Sequence, residues 1–258
     1  MIRSPDEKSR RVREMFAGIA RRYDFLNHFL SLGTDIYWRK RVFRRMTALL
    51  DGADGRILDL CCGTGDLALE LARRWKVVGC DFCHPMLVLA GQKLVRRGNG
   101  RQVIRLAEGD ALQLPFADAS FLAVTVAFGV RNFADIDRGL REIRRVLRPG
   151  GVLGVLEFSH PVVPVFRGIF RFYFQRILPR LGHWVSGDRS AYTYLPASVG
   201  DFPAAEPFRE MLQVCGFVET AFERFTGGVA ALHVGRRPSL RGNEGPVARE
   251  RADENEAS

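Results

Sequence analysis

The chain has 258 residues, with 39 Lys and Arg against 29 Asp and Glu and 47% hydrophobic residues, a composition that suits one or at most two globular domains with a substantial core. No run approaches the roughly 18 consecutive apolar residues of a membrane-spanning helix, and Met1 to Lys8 carry no apolar signal-peptide core, so a cytoplasmic protein is expected. Five cysteines, two of them adjacent (Cys61 and Cys62), do not make a secreted disulfide framework and are expected as free thiols.

In chain order, Val12, Met15, Phe16, Ile19 and Tyr23 recur at helical spacing opposite Arg10, Arg13, Glu14 and Arg21, which predicts an amphipathic helix. A second helix is expected from Asp35, as N-cap, through Ile36, Phe43, Met46 and Leu50. Short apolar runs then follow at Arg56 to Leu60, Val77 to Cys80, Val103 to Leu106, Phe121 to Ala127 and Gly151 to Phe158. They read as strands buried on both faces. Segments of helical spacing lie between them, so an α/β fold with a doubly wound, mostly parallel sheet is expected. An insertion at about 160–200 contains a predicted helix from Val163 to Leu181, with Phe166, Ile169, Phe170, Tyr173 and Ile177 on one side and Arg167 and Arg171 on the other. A helix from Ala205 to Cys215 ends at Gly216, and Phe217 to Phe225 and Val229 to Gly235 form an antiparallel hairpin around Thr226-Gly227-Gly228. The expected organisation is N-terminal helices over residues 1–50, a main domain over 51–235 and a disordered tail over 236–258.

The positive charge is unevenly placed. Residues 1–50 carry +7 and residues 160–200 carry +4, on either side of a nearly neutral centre. Both segments are rich in aromatic side chains. Arg beside aromatic residues suits an anionic membrane surface or a nucleic acid, and equally a solvated basic face over a packed aromatic cap.

The first strand runs into Gly63-Thr64-Gly65-Asp66-Leu67-Ala68, a match to G-x-G-x-x-A, the Gly-rich turn on which a nucleotide cofactor is approached by backbone. A pyrophosphate at this helix N-terminus would meet the carboxylate of Asp66, with Asp59 at the strand tip adding to the repulsion. Asp81 closes the second strand, where a carboxylate can take both ribose hydroxyls, and Asp110 follows the third, within reach of an exocyclic amine. Four carboxylates around one Gly-rich turn suit a ligand with an adenosine end and a cationic end, the character of S-adenosylmethionine. Cys61, Cys62, Cys80 and Cys83 are read as small buried side chains, with no metal site expected.

Further motifs recur in order: Tyr23-Asp24-Phe25-Leu26-Asn27, Asp35-Ile36-Tyr37-Trp38-Arg39, Gly79-Cys80-Asp81-Phe82, Gly109-Asp110-Ala111 with Leu114-Pro115-Phe116, Phe128-Gly129-Val130-Arg131-Asn132 and Leu147-Arg148-Pro149-Gly150-Gly151. Through them the chain resembles the UbiE/MenG methyltransferases of ubiquinone and menaquinone biosynthesis, from about Val12 to Arg236. The resemblance implies a class I, Rossmann-like methyltransferase fold with a seven-stranded, mostly parallel sheet, a C-terminal antiparallel hairpin and a helical cap insertion. It also implies C-methylation of a polyprenylated quinol, demethylmenaquinol foremost and 2-methoxy-6-polyprenyl-1,4-benzoquinol as the alternative. Thr64, Asp81, Asp110 and Ala111 become expected cofactor contacts, together with Asp59, Gly63, Gly65, Phe82 and Ala127. Ala127 departs from the Ser common at that place, so one hydroxyl contact is missing.

A ring carbon becomes nucleophilic when the hydroxyl beside it loses its proton. Arg131, just past the fourth strand, has a fixed positive charge for the resulting oxyanion; Asn132 can add a hydrogen bond and Tyr23 can relay a proton or orient the ring. Arg131 could instead pair with Asp135 on the surface, and Tyr23 could simply fill a helix face. His160, at the end of the fifth strand, is expected as a pocket-wall residue. A tailed quinol dissolves in the bilayer, so the basic aromatic segments suggest peripheral attachment to the inner face of the cytoplasmic membrane, with no nucleic-acid partner and a homodimer left open. The competing readings are an RNA methyltransferase and a non-catalytic cofactor-binding scaffold.

Overall fold

The computed structural model describes residues 5–31, 33–96, 103–165, 167–168 and 189–239. Most of the expected helix from Val163 to Leu181 and nearly all of the expected tail lie outside the described residues. Two helices come first, α1 (Pro5–Leu30) and α2 (Thr34–Leu50), followed by β1 (Arg56–Leu60), α3 (Asp66–Leu71), β2 (Lys76–Asp81), α4 (His84–Arg96) and β3 (Ile104–Glu108). The chain continues through β4 (Phe121–Ala127), α5 (Ile136–Val146), β5 (Leu147–Phe158), α6 (Arg189–Asp201), α7 (Ala205–Val214), β6 (Val218–Phe225) and β7 (Ala230–Arg236).

The seven strands lie in the order β3-β2-β1-β4-β5-β7-β6. The first five are parallel, and β7 runs antiparallel to both β5 and β6. Central strands have apolar side chains on both faces because helices cover both. Leu58 and Leu60 of β1 pack with Leu140 and Ile143 of α5 and Phe208 of α7, whereas Ile57, one residue out of phase, packs with Trp38, Met46 and Leu71 on the other face. On that second face α2 approaches β5 closely: a Cβ on Gly154 would fall 2.9 Å from Met46 Sδ, so any larger residue there pushes the helix away.

Three elements differ from expectation. Asp35 does not cap α2; Gly33, at φ 75°, is the N-cap, and Asp35 is buried in the first turn. Its carboxylate accepts from Ser31 Oγ at 2.6 Å and Arg39 Nη1 at 2.6 Å and meets His28 Nδ1 at 2.8 Å, bonds that outweigh those available at a cap. The Leu147 to Gly151 turn is absorbed into β5, where Leu147 already pairs with Phe121 and the register then shifts. Helix α6 was not foreseen, because Pro196 interrupts its sequence pattern.

Register explains where a site can form. Leu60 lies opposite both Cys80 and Val126. The loops leaving β1, β2 and β4 therefore emerge side by side at the carboxyl edge, where the chain order reverses between β1 and β4.

A buried histidine makes stability depend on pH. His233 of β7, 1% exposed, donates from Nε2 to the Ala205 carbonyl at 3.0 Å and lies between the Phe208 and Phe222 rings. Burial pushes its pKa down to about 4. The unfolded imidazole, near pH 6.5, takes up a proton that the folded one refuses, so stability present above that pH is lost as pH falls toward 4. Denaturant unfolding at pH 7.5 and 4.5 should differ by about 2–3 kcal/mol from this group alone. His233→Gln should flatten the slope by that amount.

Candidate active site

The loop after β1 turns through left-handed residues at Cys61, Gly63 and Gly65, with φ of 55°, 53° and 85°. Asp81 fixes its shape. One carboxylate oxygen accepts the Gly63 N–H at 2.8 Å and the other the Cys83 N–H at 2.9 Å, so a single side chain ties the β1 loop to the β2 loop. Burial raises the Asp81 pKa while these backbone donors oppose the rise.

A cleft of about 620 Å³, its open mouth included, lies over these loops. Asp81, Phe82, Asp110 and Ala111 line one end; Ala127, Phe128, Gly129 and Asn132 line the other; Ser9, Phe16 and Tyr23 of α1 form the cover. Asp110 turns its own loop by accepting the Leu112 N–H at 2.9 Å. Helix α1 is fastened across the mouth at both ends: Lys8 Nζ donates to the Phe133 carbonyl at 2.5 Å, and the Asp24 carboxylate accepts from the Thr64 hydroxyl.

The four carboxylates do not act together. Asp66 points to Lys93 Nζ at 2.7 Å and to Arg39 Nη1 at 3.6 Å, so its charge is already compensated and the repulsion argued from it does not apply. Asp59 shares the α3 face of β1 with Ile57, a consequence of strand alternation, and accepts from Thr125 Oγ1 at 3.0 Å. Its Oδ2 is buried with no hydrogen-bond partner among the described residues, and burial raises its pKa to about 7. Thr64 turns away from the cleft toward Asp24 and Lys93. Gly65 is the N-cap of α3. Asp81 and Asp110 remain as the acids at the cleft wall.

The segment after β4 is built on strain. Phe128 has φ 59°, a left-handed conformation that costs a bulky residue about 1–2 kcal/mol. Its ring packs 4.7 Å from that of Phe158 and 5.9 Å from that of Trp38, and its carbonyl accepts from Arg131 Nη1 and from Asn132 Nδ2. Gly129 is required next, since a Cβ there would fall 2.5 Å from Cys61 Cβ. Arg131 is not paired with Asp135, which instead caps α5 by accepting the Arg138 N–H. Its partner is Glu157 of β5, at 2.8 Å, with side chains 7% and 0% exposed respectively. Burial raises the Glu157 pKa and Arg131 opposes it. Arg131 Nε is buried without a partner among the described residues.

Asn132 Oδ1 accepts from Tyr194 Oη of α6 at 3.0 Å. Tyr23 carries a pKa raised by burial, against hydrogen bonding to Asn27 and the charges of Arg131 and Arg39. It therefore stays protonated near neutral pH and can donate a hydrogen bond but not serve as a base. His160 is exposed and contributes no wall. Sequence reasoning missed Glu157, although a lone acid inside the apolar run of β5 was a visible signal, and Tyr194, one aromatic among many in its segment.

A model of the ubiE/COQ5 methyltransferase family matches residues 4–237. The chain belongs to that family. A demethylmenaquinone methyltransferase of Thermus thermophilus is 51% identical over 227 residues, covering 87% of this chain and 100% of the relative. One from Deinococcus radiodurans is 49% identical over 89% of this chain and 93% of the relative, and the ubiquinone/menaquinone biosynthesis C-methyltransferase UbiE of a Geobacter species is 43% identical over 90% and 98%. Among solved structures, the [4+2]-cyclase SpnF superposes with a TM-score of 0.63 at 22% identity, covering 90% of this chain and 97% of its own. A methyltransferase of Thermotoga maritima superposes at 0.60 and 17% identity, covering 87% and 99%. These two similarities establish the class I methyltransferase fold.

A methyltransferase of this family takes S-adenosylmethionine, and the cleft fits it: Asp81 and Asp110 stand at one wall and the apolar Phe82 and Ala111 flank them. Burial raises the pKa of Asp59, which lies behind the Gly-rich turn and is electrostatically coupled to Asp81, to about 7, so a bound cation should favour its carboxylate and release protons at neutral pH. Titration calorimetry in two buffers of different ionisation enthalpy should give different apparent heats, and Asp59→Asn should remove the difference. Equal heats in wild type would contradict the expectation.

Proposed function

We propose that the chain methylates the ring carbon of demethylmenaquinol, with Asp81, Asp110, Phe82 and Ala111 holding the cofactor and the residues after β4 holding the ring. The reading is carried by one observation: Asp81 and Asp110 line the same cleft as Gly129 and Asn132, with Arg131 immediately before Asn132 and its guanidinium turned to Glu157 and the Phe128 carbonyl. The two relatives at 51% and 49% identity are demethylmenaquinone methyltransferases, which favours the naphthoquinol over the benzoquinol.

When bound, S-adenosylmethionine supplies an electrophilic methyl group. The residues of this chain have to make the ring carbon nucleophilic and keep it aligned. Asn132 has its Oδ1 filled by Tyr194 and gives one Nδ2 proton to the Phe128 carbonyl, which leaves the second Nδ2 proton to donate to the ring oxygen. Tyr23 donates from the α1 side. Arg131 is held by Glu157, so the pair is neutral overall before the hydroxyl ionises. The quinol proton leaves to water, the guanidinium field stabilises the oxyanion, and the ring proton at the methylated carbon is lost afterwards to restore aromaticity. Replacing Arg131 alone would strand a buried carboxylate. Arg131→Leu with Glu157→Gln removes both charges and should lower kcat at least 100-fold, while the affinity for S-adenosylhomocysteine stays within about threefold. Retained turnover would refute this assignment.

The substrate's tail calls for an apolar surface. No described helix is long and apolar enough to cross a membrane. Ile36, Tyr37, Val162, Val163 and Val165 are 41–69% exposed. They are joined through Phe225, whose ring meets Tyr37, and through the Val162 N–H bond to Gly227. Trp38, next to Tyr37, packs on Phe128 at the cleft wall. With exposed Lys40 nearby, and Arg41 over the Phe225 ring and paired with Glu223, this patch suits an anionic bilayer surface, and the tail would leave the cleft along it. Flotation with anionic vesicles should capture the protein, and the triple change Ile36→Ser, Tyr37→Ser, Val163→Ser should weaken capture at least fivefold. Undiminished capture would place the docking surface elsewhere.

A further inference from the structure

The ammonium of Lys93, on α4, has three oxygen partners from three other parts of the chain. Asp24 Oδ2 of α1 is at 2.7 Å, Asp66 Oδ1 at the start of α3 is at 2.7 Å, and Thr64 Oγ1 of the Gly-rich loop is at 3.1 Å. An ammonium has three protons, so the group is fully used. Thr64 in turn donates to Asp24, closing the ring of contacts. The Asp24 pKa ends below the usual carboxylate value: burial alone would raise it, and the bonds from Lys93 and Thr64 more than offset that.

The position of this node matters more than its strength. Tyr23, adjacent to Asp24, lines the cleft, and a Cβ on Gly63 would come within 3.7 Å of the Tyr23 ring. Gly63 lines the same cleft and is bonded on its other side to Asp81. The Gly-rich loop is therefore gripped from two directions: Asp81 sets its inner edge, and the Lys93 node clamps its outer edge to α1. Lys93 itself, 20% exposed, is absent from the cleft wall and is not part of the family motifs identified in the sequence.

We infer that Lys93 is a positioning residue for cofactor binding: it locks α1 over the Gly-rich loop through Asp24 and Thr64, so that releasing the lock opens the cofactor end of the cleft. The inference deepens the proposed function but needs only its cofactor half. Removing the ammonium would leave Asp24 with the Thr64 hydroxyl and Asp66 with the more distant Arg39 at 3.6 Å, two carboxylates close together on elements that must stay apposed with no cation between them. An arginine can bridge both carboxylates and should restore the lock in large part.

The test is binding of S-adenosylhomocysteine to the full chain by calorimetry, which involves no quinol and so separates this inference from the choice of substrate. Lys93→Met should raise its Kd about tenfold and raise KM for S-adenosylmethionine in parallel, with kcat reduced no more than threefold. Lys93→Arg should return Kd to within about threefold of wild type. Asp24→Asn, which keeps the Lys93–Asp66 pair, should reproduce most of the loss, and the double variant should be less than additive because both changes break one node. Should Lys93→Met fail to fold, Asp24→Asn and Lys93→Arg decide the matter. Unchanged Kd in a folded Lys93→Met or Asp24→Asn protein, or a fall in kcat with KM unmoved, would overturn the inference.

Discussion

Two backbone N–H groups from different loops converge on the carboxylate of Asp81, and the geometry of the cofactor end follows from that convergence. A carboxylate buried at a strand end would be costly alone. Satisfied by Gly63 and Cys83, it becomes a brace that holds the Gly-rich turn at a fixed height above the sheet. Parallel registration of β1 with β2 and β4 then sets the spacing between this brace and the turn that bears Arg131.

The second half of the site has a comparable economy. Phe128 is strained, Gly129 is fitted against Cys61, and Arg131 and Asn132 both return to the Phe128 carbonyl. Five consecutive residues thus form one unit in which each constraint serves the next. The pairing of Arg131 with Glu157 makes this unit electrically neutral at rest, which suits an uncharged ring entering an apolar cleft; a free guanidinium would be poorly solvated there.

The sheet and its flanking helices were legible in the sequence because apolar period and Gly-rich turns report directly on strands buried between helices. The cofactor side was legible as well, since acids at strand ends are conspicuous. Side-chain direction was not. Whether Asp66 faces the cleft or Lys93 depends on partners from α2 and α4 far away in the chain, and no local pattern encodes that choice. Asp35 shows the same limit: its residue type suits a cap, but His28 and Arg39 recruit it into the helix interior. Glu157 could have been suspected from its apolar surroundings, while its pairing with Arg131 needed the third dimension.

The covering helix also bears on how the polypeptide assembles. Helix α1 precedes in the chain the groups that retain it: Thr64, Lys93 and the carbonyl of Phe133, the last separated from Lys8 by 125 positions. Its apolar stripe at Val12, Phe16 and Ala20 thus has no native partner during much of translation. The native seat of this amphipathic segment is therefore complete only once the chain up to Phe133 is in place, a non-local closure of the kind that slows folding.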